Sequence, residues 1–95
     1  NIMHKSKELK ETFYLYNSTV IAQILHLLKE TPQGFFVIDI SIRMNKKQCA
    51  ISTALKLMYK YNIVKYTKHG IFRIYSKTGI TPLNVFKQTV SKLTK

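Results

Sequence analysis

The apolar pattern of this chain switches from helical to strand-like spacing near Asn62 and back again after Ser76, and that double switch limits the folds open to it. Before Asn62, Val20, Ile21, Ile24, Leu25, Leu27 and Leu28 make a wide apolar face at helical spacing, with Gln23, His26, Lys29 and Glu30 opposite. Further on, Ile51, Leu55 and Met58 recur at i, i+4 and i+7, widened by Ala54 and Leu57, which predicts a helix from about Lys47 to Tyr61. Past Asn62, the runs Ile63 to Thr67 and Ile71 to Ser76 are rich in Tyr, Val, Ile, Phe and Thr, residues suited to a pleated, half-buried surface. Lys68-His69-Gly70 joins them, and a short connection ending in glycine between two such runs signals a hairpin. Val64, Tyr66, Phe72 and Ile74 are the set expected to face inward.

Local punctuation delimits the remaining elements. Lys5 to Tyr16 carries Leu9, Phe13 and Tyr16 on one helical stripe, and Asn17 or Ser18 caps the next helix, which runs to about Glu30. Thr31-Pro32-Gln33-Gly34 breaks that helix. Phe35-Phe36 reads as a short strand, and Val37 to Met44 as a brief helix with Val37, Ile40 and Met44 inward. Asn62 is a good stop because asparagine tolerates the left-handed conformation. After a turn at 78–81, Thr81-Pro82 supplies an N-cap and a first-turn proline for a last helix with Leu83, Phe86, Val90 and Leu93 on one stripe. The fold class is therefore α+β, mainly helical.

The charge is distributed unevenly. Sixteen Lys and Arg face four acids, a formal net charge of +12, and all four acids (Glu8, Glu11, Glu30, Asp39) precede residue 40. Twelve of the basic side chains lie in the acid-free remainder. A field so concentrated attracts polyanions and speeds their association. Ninety-five residues suffice for one core. No apolar run approaches the roughly 20 residues of a membrane-spanning helix, and His4 to Glu11 is too polar for a signal peptide. One cysteine, Cys49, supports no internal disulfide framework and fits a reducing, intracellular, cytoplasmic setting.

The order of these elements resembles the winged helix-turn-helix family, and the resemblance is most specific between Phe36 and Ser76. There a buried aliphatic followed by a small residue (Ile40-Ser41), a turn (Asn45 to Lys47) and an aliphatic with a leucine four residues later (Ile51, Leu55) match the family's helix-turn-helix. Asn62-Ile63-Val64 resembles the entry to the wing, and Lys68-His69-Gly70 its tip. One departure stands out: the turn place that is usually aliphatic falls on Lys46. The resemblance implies a two- to three-stranded wing, an N-terminal helical extension at residues 1–17, a winged domain at 18–79 and a C-terminal helix at 80–95.

It also implies duplex DNA as partner, with the helix at about 47–61 in the major groove, which is about 12 Å wide and admits one helix. With Ile51, Leu55 and Met58 turned to the core, the outward side chains are Gln48, Cys49, Ser52, Thr53 and Lys56. Glutamine can pair with adenine through two hydrogen bonds, serine and threonine can bond bases or phosphates, and Lys46, Lys47 and Lys56 can neutralise phosphates. On the wing, Lys65, Lys68, His69 and Arg73 are candidates for the backbone or the adjacent minor groove. Family members often dimerise through helices outside the winged core. A homodimer is accordingly expected, with Leu9, Phe13, Tyr16, Leu83, Phe86, Val90 and Leu93 at its interface.

Enzymatic readings find little support. The four acids include no convincing pair for acid–base work, since Glu8 and Glu11 are expected on a solvated segment. The three glycines are all turn residues, so no phosphate-binding loop is present. His4, His26, His69 and Cys49 are too scattered for a metal site, and neither a cofactor, a small-molecule ligand nor a membrane partner is expected. The function indicated is that of a non-enzymatic DNA-binding transcriptional regulator. The alternatives are a plasmid or viral replication or partition adaptor, and a winged module that binds protein or RNA.

Overall fold

The computed structural model describes the backbone of residues 2–94 and the side chains of residues 6–94; the His4 and Lys5 side chains, named in the sequence reading, lie outside the described residues. In chain order the elements are α1 (Ile2–Asn17), α2 (Thr19–Glu30), β1 (Phe35–Phe36), α3 (Val37–Met44), α4 (Gln48–Lys60), β2 (Val64–His69), β3 (Phe72–Lys77) and α5 (Pro82–Leu93).

Short-range chemistry sets most of these boundaries. Ser18 is the N-cap of α2, its Oγ accepting the Ile21 N–H at 3.2 Å. Thr81 and Asn84 form a reciprocal capping box at the start of α5, with Pro82 in the first turn. Asn62 ends the α4 region with φ at 61°, the left-handed geometry expected of it. Gly34 has φ of 89°, and a Cβ there would run into the Tyr75 carbonyl oxygen, so only glycine lets β1 lie against β3.

The sheet is antiparallel in the order β1-β3-β2. Its register pairs Phe35 with Tyr75, Tyr66 with Tyr75, Lys68 with Arg73 and His69 with Phe72. Val64, Tyr66 and Tyr75 therefore share the face that packs on the helices, with Val64 and Tyr75 buried. This corrects the expected inward set: Phe72 and Ile74 belong to the opposite face, and Phe72 is largely exposed. The cause is the turn. The strands reach His69 and resume at Phe72, so the connection is Gly70-Ile71 and not Lys68-His69-Gly70. Gly70 has positive φ (63°) and Ile71 does not, the pattern of a II′ hairpin turn. A two-residue connection in place of a three-residue one changes the pairing by an odd number of places, which moves alternate β3 side chains to the other face.

One apolar cluster joins the sheet to the helices. Ile21, Ile24 and Leu28 of α2, Ile40 of α3, and Ile51, Leu55 and Met58 of α4 are fully buried, as their spacing predicts. Leu15 of α1 and Val85 of α5 belong to the same cluster. The terminal helices pack on each other, but along lines different from their apolar stripes. In α1 the buried residues are Thr12 and Leu15, while Phe13 and Tyr16 are about half exposed and Leu9 is partly covered. In α5 they are Val85 and Thr89, while Leu83, Val90 and Leu93 remain exposed and Phe86 is partly covered. Thr12 and Thr89 tolerate burial because each hydroxyl donates to a carbonyl of its own helix, Glu8 and Val85 respectively.

Candidate nucleic-acid interface

The helix-turn-helix is held by backbone and small side chains. Ile40 and Ser41 are buried, and the Ser41 hydroxyl donates to the Ile38 carbonyl at 2.8 Å. Asn45 takes the left-handed conformation (φ 53°) as C-cap of α3, and the Lys46 N–H closes the turn onto the Ser41 carbonyl at 3.0 Å. The turn thus needs no aliphatic plug at Lys46, whose side chain is exposed. Lys47 is the extended N-cap residue, so α4 begins at Gln48, one residue later than its spacing predicts.

With its apolar line on the core, α4 turns Gln48, Cys49, Thr53 and Lys56 to solvent and Ser52 partly so. These side chains border two hollows. Gln48, Ser52 and Lys56 line a cleft of about 410 Å³ whose far wall is β3, at Phe72, Arg73 and Tyr75. Cys49 and Thr53 face the other way, toward a groove bordered by Glu11 and Tyr14 of α1. Lys56 borders both. The Thr53 hydroxyl donates to the Cys49 carbonyl at 2.9 Å, which leaves it free to accept.

A ladder of tyrosines fixes the wing relative to α4. The Tyr59 ring of α4 meets Tyr66 at 5.0 Å between centroids, and Tyr66 meets Tyr75 at 5.5 Å. Arg73 lies over this ladder, its guanidinium 4.4 Å from the Tyr66 centroid and its Nη1 donating to the Tyr75 hydroxyl at 3.4 Å. Lys68 pairs with Arg73 across the hairpin and shares its face. Lys65 projects from the opposite face, paired with Ser76, and is not brought to the cleft. His69 is exposed on that same far side, its ring edge-on to Phe36 at 6.3 Å.

Two of the four acids are engaged inside the fold, contrary to the expectation that Glu8 and Glu11 are solvated. Glu11 accepts from the Tyr61 hydroxyl at 2.6 Å and from Lys60 Nζ at 2.8 Å, at the C-terminal end of α4. Burial opposes its ionisation, but the hydrogen bonds from Lys60 and Tyr61 and the charges of Lys60 and Lys7 outweigh that and hold its carboxyl below the usual range. Tyr61 is pushed up correspondingly, by burial first and then by the Glu11 carboxylate. Glu8 accepts from Lys92 at 3.4 Å and lies 3.3 Å from the Thr89 hydroxyl, which it shares with the Val85 carbonyl, tying α1 to α5. Among the described residues no carboxylate pairs with Lys46, Lys47, Lys56, Lys68 or Arg73. No three His, Cys, Asp or Glu side chains among them gather as a metal site, and no helix among them is long and apolar enough to cross a membrane.

The periodicity reading missed what holds the wing in place and what stands at its apex. Tyr75 was hidden by the register, and Ile71, expected to start a strand, stands in the turn with 91% of its surface exposed. The sequence did contain a usable signal. Gly70 as the first of two turn residues is the II′ signature, and it would have put Ile71 at the tip.

No family model and no curated protein matches this sequence. Solved structures do resemble it in fold. A possible transcriptional regulator for arsenical resistance superposes with a TM-score of 0.65 at 18% identity, over 87% of this chain and 83% of that one. An ArsR family transcriptional regulator gives 0.66 at 11% identity, covering 94% and 89%. The adhesin competence repressor AdcR from Streptococcus pyogenes gives 0.53 at 18% identity, covering 99% and 74%. At such identities the likeness is one of architecture, and with the turn, α4 and the three-stranded wing it establishes that this chain has the winged helix-turn-helix fold.

Proposed function

We propose that this protein binds duplex DNA as a non-enzymatic transcriptional regulator, with α4 in the major groove and the wing against the backbone of the same duplex. The observation that carries the reading is the cleft between α4 and β3. Gln48 and Ser52 supply donors and acceptors there, Lys56 and Arg73 supply charge, and no acid lines it. That combination suits base edges flanked by phosphates. The transcriptional regulators that share the fold are consistent with it. Lys46 and Lys47, exposed ahead of α4, extend the cationic surface. Fluorescence anisotropy with labelled duplexes over a salt series tests the proposal. Binding should weaken steeply as salt rises, with a slope of about 0.9 per phosphate contact. Binding that is absent at low salt, or insensitive to salt, rejects it.

The active species in this reading is a homodimer joined through the terminal helices. Phe13 and Tyr16 of α1 meet Phe86 of α5 at centroid distances of 5.7 and 5.4 Å, and Leu83, Val90 and Leu93 continue the exposed apolar surface beside them. A surface of this kind favours burial against a second copy, and two-fold symmetry would present two copies of α4 to one duplex. Light scattering decides the point. The double variant Leu83→Asp/Leu93→Asp should be monomeric where the wild type is dimeric, and a wild type that is monomeric at high concentration removes the dimer from the proposal.

A further inference from the structure

We infer that Ile71, at the apex of the wing, is an apolar minor-groove probe that makes this protein favour flanking sequence lacking the guanine 2-amino group. The inference rests on the duplex-binding reading and adds to it a specificity-determining residue outside the recognition helix.

A II′ hairpin turn requires glycine at its first central place, which Gly70 fills, but makes no demand for a large apolar residue at the second. Ile71 is nonetheless there, 91% exposed, so neither the turn nor the core accounts for it. Its neighbour Phe72 is 60% exposed and packs edge-on against Phe36 at 6.1 Å, so the tip is braced from one side. Behind the first pair, His69 and Phe72, the second residue pair from the turn is Lys68 and Arg73. The hairpin end is therefore an apolar point with cations set back from it.

That shape matches one environment better than others. A two-residue turn projects a single apex side chain ahead of its backbone, and one isoleucine is narrow enough for the roughly 6 Å minor groove. An apex side chain can enter while the cations behind it meet the phosphates on either wall. Ile71 and Arg73 line the same cleft as Gln48, Ser52 and Lys56, so a duplex seated on α4 lies beside the tip. A membrane anchor would call for a broader apolar surface than one isoleucine and a braced phenylalanine. Within the groove, an A·T floor shows only acceptors, whereas G·C adds a protruding amino donor. An isoleucine cannot satisfy that donor, and it collides with it.

Duplexes of dI·dC and dG·dC test this directly. Their major grooves display the same groups, and they differ in the minor groove by the 2-amino group alone. Anisotropy titrations of the full chain should show the wild type binding dI·dC about tenfold more tightly than dG·dC, the scale set by partial burial of one isoleucine. Ile71→Ser should bind the two equally with an unchanged salt slope, and Ile71→Val should retain the preference. A wild type indifferent to the two duplexes, or a preference that survives in Ile71→Ser, overturns the inference while leaving duplex binding intact. Failure of the wild type to bind either duplex at low salt rejects the duplex reading itself, and this inference with it. Loss of binding to phosphatidylglycerol vesicles in Ile71→Ser, with duplex affinities unchanged, would make the tip a lipid contact and equally overturn it.

Discussion

The two sides of α4 use their cations in opposite ways. At its C-terminal end, Lys60 pairs with Glu11 at 2.8 Å, and the terminal helices repeat the device with Lys92 and Glu8. At its N-terminal end and on the facing wing, Lys46, Lys47, Lys56, Lys68 and Arg73 have no carboxylate partner among the described residues. The first group of charges ties helices together, and in the proposed reading the second meets the phosphates of a duplex. Within the net charge of +12, Glu8 and Glu11 are engaged inside the fold, and the cations at the start of α4 and on the wing have no carboxylate partner among the described residues.

The comparison breaks most sharply if the unpaired cations are reversed. Lys47→Glu/Lys56→Glu should lower duplex affinity at low salt on the order of 100-fold and flatten the salt slope, as measured by anisotropy. Thermal stability should hold or rise slightly, because a carboxylate at the start of α4 is favoured by the helix dipole. A large fall in stability would show that these lysines serve the fold after all.

The paired acids should behave the other way. Glu11→Gln should cost about 1–2 kcal/mol in urea unfolding near neutral pH and leave the salt slope of duplex binding unchanged. Its pH dependence has a definite sign. Because the folded-state pKa of Glu11 is lowered, its contribution is present above the ordinary carboxylate value and is lost as pH falls through the lowered one. The stability gap between wild type and Glu11→Gln should therefore close on acidification, and a gap that widens would contradict the assignment. The smallest effect is expected at His26 and Glu30, an i, i+4 pair 3.0 Å apart with both side chains mostly exposed. Glu30→Gln should change unfolding by less than about 0.5 kcal/mol. A change as large as that of Glu11→Gln would remove the distinction between exposed and sheltered pairs.

Much of the fold was legible because the deciding forces act over three or four residues. Ser18, Thr81-Pro82 and Asn62 mark their boundaries through hydrogen bonds and backbone geometry within one turn. Likewise Ile51, Leu55 and Met58 orient α4 by spacing alone, so the outward side chains Gln48, Cys49, Thr53 and Lys56 follow, with Ser52 partly covered. The candidate interface was less legible on the wing, where the same residue types alternate and a connection shorter by one residue exchanges the two faces.

The sequence alone determined the helices, their caps, the core line of α4 and the acid-free basic half, since each is a matter of local spacing or of composition. Only the tertiary structure chose between the hairpin registers, so that Tyr75 and not Ile74 faces the helices and Arg73 lies over Tyr66. It also decided the fate of the terminal helices, where Glu8 meets Lys92 across 84 residues of sequence and Glu11 meets Tyr61 across 50. Contacts between residues so far apart have no local signature. They exist because the folded chain brings α1 against both α5 and the end of α4, and a carboxylate sheltered there is stable only with its donors in place.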